Sequence, residues 1–163
     1  MNKKISLRDA FGSTLVNHSH KYPNLIVLDA DLAAGTGLSD FRKKFPKKFI
    51  QCGIAEQNMA SVAGGIASMG KTVIINSFSI FLLRAFEQIR LSIAYSNLNV
   101  KIVGGHTGID VGPDGASAQC IEDIACFRSL PNMTVIAPCD SIEMEKALLT
   151  ILKYKKPVYL RSG

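Results

Sequence analysis

No apolar run in the chain approaches the ~18 residues needed to cross a bilayer, so no membrane association is expected. The start, Met1-Asn2-Lys3-Lys4-Ile5-Ser6-Leu7-Arg8, is positively charged, but no apolar stretch of signal-peptide type follows it. The expected location is the cytoplasm. There is also no C-x-x-C pair: Cys52, Cys120, Cys126 and Cys139 are scattered, with no histidines at zinc-ligand spacing. That excludes a zinc finger and predicts reduced, buried packing thiols. Acidic residues are in short supply, 13 against 19 lysines and arginines, for a net charge of +6. Such a surplus raises the question of nucleic acid, and Arg42-Lys43-Lys44-Phe45-Pro46-Lys47-Lys48 is a compact basic run. The run falls in a turn region broken by Pro46, and no helix-turn-helix, zinc-finger or RNA-stacking motif accompanies it. A solvated face is the expectation, with attraction of phosphorylated small molecules second and no nucleic-acid partner. Internal repeats, low-complexity tracts and linkers are missing as well.

What is present suits a globular α/β protein. The 163 residues are 47% hydrophobic and 20% charged, enough to bury one sizeable core, and residues 1–163 are expected to form a single domain. Apolar runs of strand length alternate with longer helical stretches, which predicts a doubly wound, mostly parallel six-stranded sheet with helices on both faces. The predicted strands are Leu25–Leu28, Phe49–Gln51, Thr72–Ile75, Val100–Val103, Thr134–Ile136 and Val158–Leu160. Helical periodicity runs from Phe81 to Tyr95 and from Ile142 to Tyr154, and an earlier helix spans about Leu7 to His20. Asp140-Ser141 supplies N-cap chemistry for the later helix. Gly104 to Ser117 is glycine-rich and loop-like, and such a loop beyond a strand's carboxyl end is more often functional than decorative.

Glu56 is the only charged residue in Cys52-Gly53-Ile54-Ala55-Glu56-Gln57-Asn58-Met59-Ala60, which is followed by the small and apolar run Ser61 to Met69. A carboxylate in such surroundings must pair, protonate or do chemistry. It falls where a short strand hands over to a helix, the place where open α/β sheets keep ligands. Local physics alone favours a plainer role, complementing the helix macrodipole.

The wider pattern decides between them. Gly53-Ile54-Ala55-Glu56-Gln57-Asn58-Met59, then Gly64-Gly65, then Phe78 and Phe81 after the next strand, closely resembles the pyrimidine-binding domain of the transketolase family of thiamine diphosphate enzymes. The resemblance runs from about Leu7 to Leu160. It implies that Glu56 is the acid hydrogen-bonded to N1′ of the cofactor pyrimidine, because burial disfavours the charged form of a carboxylate and lets it share a proton with a weakly basic ring nitrogen. Phe81 matches the family's stacking position, with Phe78 lining the same pocket; both also suit a helix-start core role. Asp31 resembles the family's acidic residue near the cofactor cleft, while Asp29 suits a turn or cap. Arg8 takes the place of an arginine that binds the sugar phosphate, or is a surface arginine. His106 and Asp114, in the glycine-rich loop, match residues that contact the substrate; His18 and His20 are ordinary residues near a helix end.

Two departures shape the functional expectation. Where the family has Thr-His-Gln or Ser-His-Gln after the Asp-Gly pair, this chain has Ser117-Ala118-Gln119, and Ala118 can neither donate a hydrogen bond nor move a proton. There is also no Gly-Asp-Gly followed at a distance by Asn, the family's means of holding Mg2+ and the diphosphate. The resemblance therefore implies one subunit of a split transketolase, with thiamine diphosphate shared and Mg2+ held by a diphosphate-binding, N-terminal-section subunit. The assembly would be a homodimer or heterotetramer. Its reaction would transfer a two-carbon ketol unit from a ketose phosphate to an aldose. The alternatives are an enzyme resembling deoxyxylulose phosphate synthase, which uses pyruvate, a non-catalytic regulatory subunit of the same fold, and a nucleotide-binding α/β domain.

Overall fold

The computed structural model describes residues 5–109 and 111–163. Six strands, β1 (Leu25–Asp29), β2 (Phe49–Gln51), β3 (Thr72–Phe78), β4 (Val100–Gly105), β5 (Thr134–Ile136) and β6 (Val158–Arg161), form one sheet in the order β2-β1-β3-β4-β6-β5. Every pairing is parallel. Strands covered on both faces can be apolar along their whole length, and β3 is buried at all its positions.

The helices are α1 (Leu7–His18), α2 (Ser39–Lys44), α3 (Glu56–Ser68), α4 (Ser79–Arg84), α5 (Phe86–Gln88), α6 (Asp123–Arg128) and α7 (Ser141–Ile151). On one face, Met59 and Ala63 of α3, Leu82 of α4 and Phe127 of α6 pack on Leu28, Ile75, Ile102 and Tyr159. On the other, Phe11 and Leu15 of α1, Phe41 of α2 and Leu148 of α7 pack on Val27, Ile74, Val103 and Leu160. Each of these large side chains, fully buried, contributes about 1.5–3 kcal/mol relative to exposure.

Local chemistry sets the helix ends. Ser6 Oγ accepts from Asp9 N (3.0 Å) to start α1, and Asp140 Oδ1 accepts from Glu143 N (2.8 Å) to start α7. Glu143 Oε2 reaches back to accept from Cys139 N at 2.7 Å, a reciprocal cap.

Three sequence expectations are corrected. The predicted helix Phe81–Tyr95 begins earlier, at Ser79, breaks at Ala85, and finishes as a π-helical stretch over Ile89–Tyr95. Arg42, Lys43 and Lys44 are helical in α2, and the break comes only at Pro46, which opens a 3₁₀ turn. Of the four free cysteines only Cys120 is buried, and Cys139 is exposed, because it lies just ahead of the α7 cap. No helix among the described residues is long and apolar enough to cross a membrane.

Candidate functional site

The sheet changes direction between the neighbouring strands β1 and β3. From β1 the chain moves outward to β2, and from β3 it moves the opposite way to β4. The loops leaving β1 and β3 therefore part, and a crevice opens at the carboxyl ends of these strands. Six of the eight buried side-chain atoms without a hydrogen-bond partner among the described residues lie along this edge: Asp29 Oδ1, Glu56 Oε2, Asn76 Oδ1, Ser77 Oγ, Thr107 Oγ1 and Asp123 Oδ1. An unpaired buried polar atom costs about 1–3 kcal/mol, so such a concentration marks an edge shaped by something other than stability.

Glu56 is the first residue of α3, and its side chain is 2% exposed. Gly53, at φ 72°, turns the chain out of β2 and brings Glu56 to the head of the helix. Glu56 Oε2 has no hydrogen bond; its nearest opposite charge is Arg84 Nη1 at 3.6 Å, on a side chain that is 60% exposed. A carboxylate oxygen is thus held out of water beside a cation that can swing away. Phe81 stands one turn ahead of Arg84 on α4, so the same contact brings its half-buried ring to the Glu56 side of the crevice.

Three aromatic rings line up across the edge. Phe78, the last residue of β3, stacks on Phe81 with centroids 5.4 Å apart and an interplanar angle of 12°. It also stacks on His106, at 3.7 Å and 26°. His106 follows β4 with φ 52°, in the left-handed region. Burial holds its imidazole below the ordinary histidine value; the Asp114 carboxylate opposes this and the Arg8 cation adds to it.

His106 also faces a cavity of about 330 Å³, whose wall includes Arg8, Phe11, Thr36, Asn76 and Ser162. The cavity thus joins α1 to the ends of β3, β4 and β6. It offers one cation, Arg8, and a set of neutral hydrogen-bonding groups, a combination suited to a polar ligand with an anionic end.

Gln51 ties the neighbouring loops together. Its Oε1 accepts from Asp31 N and Gly53 N, both at 3.0 Å, and its Nε2 donates to Asp29 Oδ2 at 3.0 Å. Asp29 Oδ2 also accepts from Leu32 N (3.1 Å), the turn role expected of it. Asp31 itself is exposed at φ 65°. Asp114 is exposed in a 3₁₀ turn, Gly112–Asp114, and Ala118 is buried in the next one, Ala116–Ala118. Thus Arg8 and His106 share the cavity wall, while Asp31 and Asp114 lie on the loops around it and Glu56 lies on the α3–α4 side.

Sequence reasoning missed several contributors. Arg84, Gln51 and Asn76 carry no motif. A buried network was missed too: Tyr159 donates to Asp123 Oδ2 (2.7 Å), Arg161 Nε donates to the same oxygen (2.9 Å), and Ser79 Oγ lies 2.8 Å from the Tyr159 hydroxyl. Gly104 is required beside it, since a Cβ there would strike both Ser79 Oγ and the Tyr159 hydroxyl. The one available signal was the polar pair Asn76-Ser77 at the end of an otherwise apolar strand.

This sheet, with a lone buried glutamate at a strand–helix junction and an aromatic pair spanning the end of β3 and the start of α4, has the features of the transketolase pyrimidine-binding domain. The family description "Transketolase, pyrimidine binding domain" matches residues 3–163, and the chain belongs to that family. A protein of Methanocaldococcus jannaschii named "Putative transketolase C-terminal section" is 51% identical over 156 residues, 95% of this chain and 49% of that protein. Human transketolase is 40% identical over 161 residues, 98% of this chain and 26% of that protein. A solved structure described as "Split gene transketolase, inactive beta4 tetramer" superposes with a TM-score of 0.86 at 44% identity, covering 98% of this chain and 51% of that one. The chain therefore spans about half the length of the first and third of these and about a quarter of the human enzyme.

Proposed function

We propose that the chain provides the pyrimidine side of a thiamine diphosphate site in a split transketolase that works only with a diphosphate-binding subunit. When bound, thiamine diphosphate supplies the carbon nucleophile for moving a two-carbon ketol unit from a ketose phosphate to an aldose. The observation that carries this reading is the buried Glu56 Oε2, which faces Arg84 at 3.6 Å but makes no hydrogen bond. A flat heterocycle with a ring nitrogen fits there, because such a nitrogen gives the carboxyl group the hydrogen-bond partner that it lacks. Glu56 would hold the proton shared with N1′, and so control which tautomer of the pyrimidine is present. Phe81 would give the pyrimidine a face to lie on without competing for its hydrogen bonds, and Phe78 would back it. Asp31 would border the cleft, while Arg8, His106 and Asp114 would receive the sugar phosphate.

The need for a partner rests on two supports. The sequence has no pattern for gripping Mg2+ and a diphosphate, and two phosphates call for a divalent cation and several donors. The similar split-gene protein, solved without activity, is described as a β4 tetramer. Exposed Ile54, Ile109 and Ile121 lie around the carboxyl edge and suit burial against such a partner. Ala118 is compatible with turnover if the proton moved elsewhere in the family by a histidine is handled by another group.

The test is reconstitution. The chain is mixed with candidate diphosphate-binding subunits, Mg2+ and thiamine diphosphate, and given either a ketose phosphate or pyruvate. Ketol transfer from the ketose, dependent on both subunits, is the expected result. Carbon dioxide release from pyruvate, or a complex that binds cofactor without turnover, would overturn it.

A further inference from the structure

Phe78 and Gly105 are direct partners in the β3–β4 register, so the residue after Gly105 emerges beside the Phe78 ring. That residue is His106, and its ring lies on Phe78 at 3.7 Å while its backbone holds φ 52°. A non-glycine residue in that region carries a local penalty of roughly 1–2 kcal/mol, which surrounding contacts must offset. The Phe78 ring is itself closely confined. It is 7% exposed, and a Cβ added to Gly35 would lie 3.4 Å from its Cε1. Along the other direction Phe78 is nearly parallel to Phe81. One confined ring is therefore shared between a half-buried phenylalanine on the Glu56 side and a histidine in the cavity wall.

We infer that Phe78 is a positioning residue: it sets the angle at which His106 faces the cavity and links that angle to the seat of Phe81. The inference rests on the proposed function, in which Phe81 carries the pyrimidine and His106 meets the sugar. Its consequence is coupling between two subsites of one active centre. A heterocycle settled against Phe81 limits the tilt of Phe78, which limits the tilt of His106, so the first ligand prepares the second site. The charged groups acting on His106 are Asp114 and Arg8, and both lie outside the ring column.

The test has two arms. In the full chain, the imidazole signals of His106 are followed by NMR through a pH titration in the wild type, Phe78→Leu and Phe78→Tyr, with His18 and His20 as internal references. Phe78→Leu should shift the His106 ring protons downfield as ring current is lost, and raise its midpoint toward the ordinary histidine value as water enters. Phe78→Tyr, which keeps an aromatic face, should restore both. In the reconstituted enzyme, Phe78→Leu should raise the ketose KM about tenfold, and Phe78→Tyr should bring it back toward the wild-type value. Unchanged His106 signals in a folded Phe78→Leu chain would overturn the inference, as would a variant that loses cofactor affinity and keeps its KM. If the wild type turned over no ketose with any partner, the functional reading would fail, and the NMR arm would still decide whether Phe78 positions His106.

Discussion

At the amino edge of the sheet, the six connections leading into the strands (19–24, 45–48, 69–71, 96–99, 129–133 and 152–157) contain Lys21, Lys47, Lys48, Lys71, Lys153, Lys155 and Lys156 and no carboxylate. At the carboxyl edge lie Asp29, Glu56 and Asp123, each buried and each with an oxygen lacking a partner. The amino edge follows from stability. Helices α1, α2, α3 and α7 end there, with unpaired carbonyls and the negative ends of their dipoles, and cations belong beside them. Lys48 Nζ donates to Ser19 O (2.9 Å) and Tyr22 O (2.7 Å), and the fully buried Lys101 Nζ donates to Tyr154 O (2.6 Å) and Lys156 O (2.5 Å). At the carboxyl edge Asp29 Oδ2 and Asp123 Oδ2 are bonded within the fold, but the other oxygen of each, and Glu56 Oε2, is buried without a hydrogen bond. The difference is between cations paired to carbonyls and acids that each keep a buried oxygen without a hydrogen bond.

Substitutions at the two edges should therefore fail in different ways. The largest effect expected is at Glu56. In the reconstituted enzyme, Glu56→Gln should lower turnover at least a hundredfold, within the ~10²–10⁴ typical of acid–base groups, and leave thermal stability unchanged or improved. A large loss of stability with modest loss of turnover would place Glu56 with the structural edge.

Lys101 gives the opposite signature. Burial lowers its ammonium from the usual 10.5 to about 7, and the neighbouring Lys155 cation adds to this. The unfolded chain then binds the extra proton between those values, so stability should climb as pH rises through that window, by at most ~1.4 kcal/mol per unit. Below about 7 both states are protonated and the contribution is flat. Denaturant titrations at several pH values should show that climb in the wild type and not in Lys101→Met.

Lys48→Met should cost about 1–3 kcal/mol through the loss of two hydrogen bonds to carbonyls, read as a lower denaturant midpoint with unchanged ketose KM. Asp140→Ala, which removes a cap at the carboxyl edge remote from the crevice, should cost about 1 kcal/mol and no activity, marking which acids on that edge are structural.

The sequence alone reveals the sheet well, because parallel strands buried on both faces leave uninterrupted apolar runs. Glu56 is legible for a related reason, as the one charge in an apolar stretch at a strand–helix junction. Other features depend on contacts between elements distant in sequence. β3 continues through Asn76 and Ser77 to Phe78 although those two residues are polar, since register with β4 keeps the ladder going. Short α2 and α6, of six residues each, carry too few turns for periodicity to show. The Glu56–Arg84 contact joins α3 to α4, and the Phe78–His106 stack joins β3 to the loop after β4. No spacing rule within one segment contains either pair.

The most direct measurement is the rate at which the C2 hydrogen of thiamine diphosphate exchanges with deuterated water in the reconstituted enzyme, compared between wild type and Glu56→Gln with cofactor saturating in both. Exchange slowed about a hundredfold by the substitution is the expected result. Equal rates would contradict the assignment of Glu56 as the residue that governs the pyrimidine.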